Sequence, residues 1–168
     1  MDIAVTGPVQ DTDRERVIAF LRDEGYSQPI QAADEIFAAW ADSEVVGAAR
    51  LAVEEGVTVL RGMRVRANLR HRGIGRQLLR RLDEVLGTTT CYCIPYGWLT
   101  EFYGGIGFKL VNTNQVPPFL AERHARYTQV GLDVVLMVRR QVGFRQLSRF
   151  GTDLTRRPVD PCVMTRRR

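Results

Sequence analysis

Lysine is almost missing from this chain: Lys109 stands alone against 23 arginines, a skew that reads as coding bias and says little about chemistry. Histidine is nearly as scarce. His71 and His124 are the only two, and with three cysteines they make too poor a ligand set for a zinc site, so no metal is expected. An odd number of cysteines also argues against a disulfide framework in a chain this long. Cys91 and Cys93 alternate on a predicted strand, share a face and read as small buried hydrophobes. No apolar run approaches the ~20 residues of a membrane span. The opening MDIAVTGPVQ lacks the basic and long apolar regions of a secretory signal, so the default expectation is a cytoplasmic protein. At 168 residues and 45% hydrophobic content, the chain can bury the core of one domain.

Acid is missing from one stretch in particular. Between Arg61 and Leu82 there are eight arginines and no Asp or Glu. Net charge is unevenly placed as well. Residues 139–168 hold nine arginines against Asp153 and Asp160, a net +7, while the other 138 residues hold 15 basic and 17 acidic side chains, a net −2. The expected organisation is a domain over residues 1–140 and a basic C-terminal tail over 141–168. In that tail Val142, Phe144, Leu147 and Phe150 could pack as a short amphipathic element, and the proline-containing end from Arg156 reads as unstructured. A tail of this kind is either a solvated appendage or a contact for an acidic partner.

What is present is concentrated in residues 57–86, where the hydrophobic period changes. Val57, Val59, Met63 and Val65, with Leu60 offset, read as a strand; Ile74, Leu78, Leu79, Leu82, Val85 and Leu86 recur at helical spacing. Between them lies Arg70-His71-Arg72-Gly73-Ile74-Gly75. A strand that turns through glycines into a helix leaves unpaired amides aimed at one place, where the helix dipole favours an anion. Arg70, Arg72 and Arg76 flank that turn and suit an anionic partner, whereas Arg80 and Arg81 read as a solvated helix face. The turn has no Gly-Lys-Ser/Thr and lacks the third glycine of a dinucleotide fingerprint.

Arg70-x-x-Gly73-x-Gly75 resembles the Arg/Gln-x-x-Gly-x-Gly/Ala signature of the GNAT acetyltransferases. Residues 101–108, EFYGGIGF, resemble the FYxxxGF segment of the same superfamily at about its usual distance downstream. The resemblance implies an α/β (α+β mixed sheet) fold, with a central mixed sheet of about seven strands flanked by helices. It also implies acetyl-CoA as cosubstrate and transfer of the acetyl group to a primary amine by direct attack through a tetrahedral intermediate. By position, the backbones of Met63, Arg64 and Val65 would pair with the pantetheine arm, and Arg70, His71, Arg72, Gly73, Ile74, Gly75 and Arg76 would hold the pyrophosphate. Tyr103 would donate a proton to the departing thiolate or, alternatively, only pack against the cofactor. Two departures stand out. Tyr96 occupies a position where many members carry an asparagine, and no carboxylate lies within residues 57–65, which leaves Glu54, Glu55 or a water chain as base.

The rest of the chain reads in order as follows. Asp2–Thr6 is a strand, and Thr12 or Asp13 caps a helix with Val17, Ile18, Phe20 and Leu21 inward, ending at Gly25. The segment from Tyr26 to Ala33 is where the resemblance puts part of the acceptor wall. Residues 35–41 and 44–54 form a hairpin across Asp42-Ser43. Residues 88–94 form a strand stopped by Pro95, a neighbour of the strand ending at Val65 through a right-handed crossover; the resemblance implies that the two splay apart. Residues 97–104 form a short helix with Trp98, Leu99 and Phe102 buried, Phe108 to Val111 a strand, residues from Pro117-Pro118 to Gly131 a helix, and residues 132–138 the last strand.

Three functions are compatible with these residues: an N-acetyltransferase for a small or amino-acid-like amine, a protein or peptide N-acetyltransferase, and a coenzyme A-binding domain without transfer. The partner implied is a small-molecule amine, with no nucleic acid or membrane called for and homodimerisation left open.

Overall fold

The structure, a computed structural model, describes residues 2–140; the basic tail expected over 141–168 lies outside the described residues. The elements are β1 (Ile3–Thr6), α1 (Asp11–Asp23), β2 (Glu35–Ala41), β3 (Glu44–Glu54), β4 (Val57–Val65), α2 (Ile74–Leu86), β5 (Cys91–Cys93), α3 (Thr100–Gly104), β6 (Phe108–Leu110), α4 (Pro118–Gln129) and β7 (Met137–Arg139). Seven strands make one mixed sheet, as expected, and their order is β1-β2-β3-β4-β5-β7-β6. β1 to β4 are antiparallel neighbours, and β4 and β5 are parallel across the α2 crossover.

Helices cover both faces. Leu78, Leu79, Leu82 and Leu86 of α2 recur every three to four residues and bury against Phe37, Leu51 and Leu60, a core that Tyr103 and Met137 extend. On the other face Val17, Phe20 and Leu21 of α1 pack on Ile36, Trp40 and Ala48, and Leu120 of α4 packs on Val59 and Leu136.

Several sequence expectations shift. Helix α1 begins at Asp11 with Gln10 at its N-cap and no side-chain cap, so neither Thr12 nor Asp13 caps it; they lie inside the first turn, where Asp13 pairs with Arg16 instead. Strand β5 shortens to three residues, and the segment before β7 contributes only a Tyr96–Val134 bridge. Pro95 explains this, because it accepts from the Val135 amide at 2.9 Å but has no N–H to return. Trp98 is not buried but 74% exposed. Gly97 donates to the Asp133 carbonyl at 3.0 Å, and the tight 3-10 turn at residues 97–99 sends Leu99 toward the core and Trp98 outward, where it stacks on Tyr96.

Strand β4 is not a single alternation either. Arg50 faces Arg61 and Ala48 faces Arg64, so Gly62 and Met63 together oppose Ala49 in a bulge. The extra residue inverts the phase. Before the bulge Val57 and Val59 belong to the α4 core; after it Met63 and Val65 pack with Leu60 on the α2 side. The offset of Leu60 in the sequence pattern is this change of phase.

Candidate active site

β4 and β5 touch over two register pairs, Thr58 with Cys91 and Val59 with Tyr92, and then part. The bulge at Gly62-Met63 turns one strand away, and Pro95 ends the pairing of the other. A cleft of about 270 Å³ opens between them, lined by residues 59–64 and 93–96, by Tyr26 to Gln28, and by Arg123, Tyr127 and Leu132. Gly62 sits at φ +63, and a Cβ there would approach the Tyr26 ring at 3.3 Å, so both the bulge and the wall favour glycine.

Tyr103 reaches this cleft from α3. It is 6% exposed, sits edge-on to both Phe102 and Phe108 and lines the cleft beside Cys93. Desolvation dominates its titration and, with Cys93 adding in the same direction, outweighs the stabilising charge of Arg64; the phenol is held far above its ordinary range. It is therefore protonated at every physiological pH. The two thiols follow the same logic: burial pushes Cys91 up to about 12 and Cys93 well above its usual value. They are buried, as read from sequence, though Cys93 also borders the cleft.

At the far end of β4 the chain makes the glycine turn. His71 at φ +62 and Gly73 at φ +82 both adopt the left-handed region, and α2 starts immediately afterwards. The first bond of the helix runs from the Gln77 amide to the Gly73 carbonyl at 3.1 Å, which leaves the amides of Ile74, Gly75 and Arg76 ahead of the ladder. A Cβ on Gly73 would meet nothing within 4 Å, so this corner is open to an approaching group. Arg72, Gly73 and Arg76 are exposed around it, and no acidic residue falls in the first turn of α2. Arg70 differs from its neighbours. Its Nε donates to the Val65 carbonyl at 3.1 Å and its guanidinium lies 4.0 Å from Glu24, so it braces the strand end.

The expected site residues thus fall in two places joined by β4: the turn with residues 70–76, and the cleft with Met63, Arg64 and Tyr103. Glu54 is not in the cleft lining. It accepts from Arg61 at 2.8 Å and Arg123 at 2.5 Å. Desolvation works to raise its titration, but the bonds from Arg123 and Arg61 outweigh it and hold the carboxyl below its ordinary range. A carboxylate tied this way is a poor base. Tyr26 proves to be both packing and wall. Its hydroxyl accepts from the Arg50 Nη2 at 2.8 Å and Nε at 3.1 Å, and Arg50 forms a fully buried ion pair with Asp34. Sequence reasoning missed Arg61 and Arg123 as cleft residues and missed the Arg50–Asp34 pair. Arg123 and Glu54 lie 69 positions apart, and no local pattern links them. Among the described residues no group of three or more His, Cys, Asp or Glu could hold a metal. No described helix is long and apolar enough to cross a membrane.

Residues 32–110 match the family model described as acetyltransferase (GNAT) domain. The ribosomal-protein-S18-alanine N-acetyltransferase of Escherichia coli superposes with a TM-score of 0.60 at 16% identity, covering 86% of this chain and 98% of the other. An acyl-CoA N-acyltransferase from Pseudomonas aeruginosa gives 0.59 at 18% identity, over 83% and 99% of the two chains. The PaiA N-acetyltransferase of Thermoplasma acidophilum, solved in complex with coenzyme A, gives 0.56 at 16% identity, over 84% and 100%. No curated protein matches the chain in sequence. The glycine turn and the splayed β4–β5 pair both fall within the matched residues, so over residues 32–110 the chain is similar to the GNAT acetyltransferase domain, and it shares the fold of these neighbours.

Proposed function

We propose that this protein transfers the acetyl group of acetyl-CoA to the primary amine of a small or amino-acid-like acceptor. The observation that carries the reading is the parting of β4 from β5 to open a cleft that Tyr103 lines, on the strand that leads into the open glycine turn. The turn fits a diphosphate: its amides precede the helix ladder, the Gly73 corner is clear, and Arg72 and Arg76 add positive charge. The backbone of Met63 to Val65, at the lip of the cleft, suits the amides of a pantetheine arm. The size of the cleft supports a small acceptor.

The acceptor nitrogen attacks the thioester carbonyl carbon to give a tetrahedral intermediate, the carbon–sulfur bond breaks with its electron pair going to sulfur, and the proton the nitrogen sheds passes through solvent, leaving an amide and the coenzyme A thiol. Tyr103, always protonated, has a hydroxyl to offer that sulfur. The burial that keeps the proton on also makes the phenol a weak acid, so its main contribution is a hydrogen bond to developing charge. If the amine arrives neutral, water can take the proton that its nitrogen sheds after attack, and no side-chain base is called for. Arg61, Arg64 and Arg123 in the cleft wall disfavour an ammonium and push the amine toward that form.

Calorimetric titration of acetyl-CoA into the full-length protein and into Gly73→Glu tests the donor half of this reading. Micromolar binding by the native chain and none by the variant, with circular dichroism unchanged, is expected. Equal affinity in both would remove the turn from the site. Thiol release from acetyl-CoA in the presence of amines then tests transfer.

A further inference from the structure

Three arginines line the cleft, Arg61, Arg64 and Arg123, and no Asp or Glu lines it with them. One carboxylate stands behind them. Glu54 binds Arg61 and Arg123 together, with the three side chains only 15–19% exposed, so two guanidiniums share a single negative charge. Arg64 has no carboxylate partner among the described residues. Its Nη1 donates to the neighbouring Met63 carbonyl at 3.0 Å, and its guanidinium lies 5.7 Å from the centre of the Tyr26 ring. The group therefore carries two uncompensated positive charges in a partly desolvated pocket, where screening by water and salt is weak.

Such a pocket discriminates by charge. A polyamine or any acceptor with a second cation meets repulsion, whereas an acceptor that brings a carboxylate neutralises part of the excess. The guanidinium fork matches a carboxylate through two parallel hydrogen bonds. Arg61 and Arg123 are already committed to Glu54. Arg64, attached beside the bulge on a strand that lines the cleft and sharing it with Tyr103, is the one whose charge meets no carboxylate among the described residues.

We infer that the acceptor is a small amine bearing a carboxylate, of amino-acid type, and that the Arg64 guanidinium is the residue that selects it. This rests on the acetyl-transfer reading and narrows its substrate class. The Glu54 clamp holds the other two arginines in place against their mutual repulsion.

The test uses the full-length protein, acetyl-CoA and matched amines: glycine, leucine, glutamate and phenylalanine against their amides, with 1,4-diaminobutane as the dicationic comparison. Acetyl-CoA binding is first measured by calorimetry; if it is absent, the donor reading fails and this proposal falls with it. With binding present, at least one free acid is expected to exceed its amide about tenfold in kcat/KM, mostly through KM. Arg64→Gln should bring the pair within about twofold, and Arg64→Lys should restore part of the preference. As a measurement independent of turnover, the N-acetylated acids and amides are titrated into the coenzyme A-saturated protein, where only an acid should bind. Faster transfer to the amides or the diamine overturns the proposal while leaving acetyl transfer intact. So does an absence of both binding and transfer throughout the series. Loss of acetyl-CoA affinity in Arg64→Gln would place that guanidinium on the donor and overturn it equally.

Discussion

The ring of Phe102 occupies the space that a side chain on Gly75 would need: a Cβ there would come within 3.0 Å of its Cζ and 3.3 Å of its Cε2. The two residues belong to the two segments by which the chain resembles the GNAT acetyltransferases. Their contact packs α3 against the first turn of α2 and so ties Tyr103, the next residue, to the glycine turn. Gly75 is therefore a packing requirement, while the left-handed Gly73 is a backbone one.

Gly75→Val forces Phe102 out of its place. Overpacking of this kind costs about 2 kcal/mol, read as a lowered denaturation midpoint. Because the displaced element carries Tyr103, turnover should fall further than stability alone explains. A smaller residue at 102, as in Gly75→Val combined with Phe102→Leu, should recover part of the stability; strictly additive losses in this double mutant would refute the contact as the cause.

Tyr103→Phe removes a hydroxyl that faces the cleft and disturbs little packing, since both ring edges remain. Acetyl-CoA affinity and melting temperature should hold. The single-turnover rate should drop on the order of 100-fold if the hydroxyl supports the leaving sulfur. An unaltered rate would reduce the residue to a wall.

Glu54→Gln leaves Arg61 and Arg123 side by side without their shared anion. Removing one partner from so enclosed a cluster costs about 2 kcal/mol at neutral pH, less than for a fully buried pair because all three side chains keep some solvent. The sign with pH follows from the direction of the shift. The folded carboxyl titrates below its ordinary 4.5, so its contribution is complete above that pH and is lost as pH falls through the lower folded value. Denaturant curves for the native chain and variant should therefore converge in acid. A gap that stays constant down to the acid limit would mean that charge plays no part.

Tyr26→Phe deletes the acceptor of two hydrogen bonds from Arg50, a residue 2% exposed and already bound to Asp34. Leaving those donors unmet costs about 2 kcal/mol. The ring itself still backs Gly62 and Arg64, so the cleft should keep its shape and acetyl-CoA affinity should stay within about twofold. Asp34→Asn, which leaves the Arg50 charge buried without its counter-ion, should be the more damaging of the two.

Much of the architecture was legible because its signals are local. The β2–β3 hairpin, the helix from Ile74 and the glycine turn are written in period and turn chemistry, and β2, β3 and β4 match the residues read for them. Trp98 was misplaced for a local reason too: one tight turn rotates it outward, and composition does not distinguish that turn from a helix. The phase change in β4 was present as the offset of Leu60, but only its pairing with Ala48 and Arg50 shows it to be a bulge.

By itself the sequence determined the order of strands and helices along the chain and the anion-ready turn, since each follows from residues within one helix or strand length of one another, while Tyr103 was pointed to only by the resemblance of residues 101–108. The tertiary structure alone decided where β4 and β5 part, after two register pairs, that Gly75 yields space to Phe102, and that Glu54 reaches across to Arg123. It alone left Arg64 as the cleft arginine without a carboxylate partner among the described residues. Those outcomes depend on which distant side chains meet and how far water is excluded between them, and neither quantity has a period that can be read along the chain.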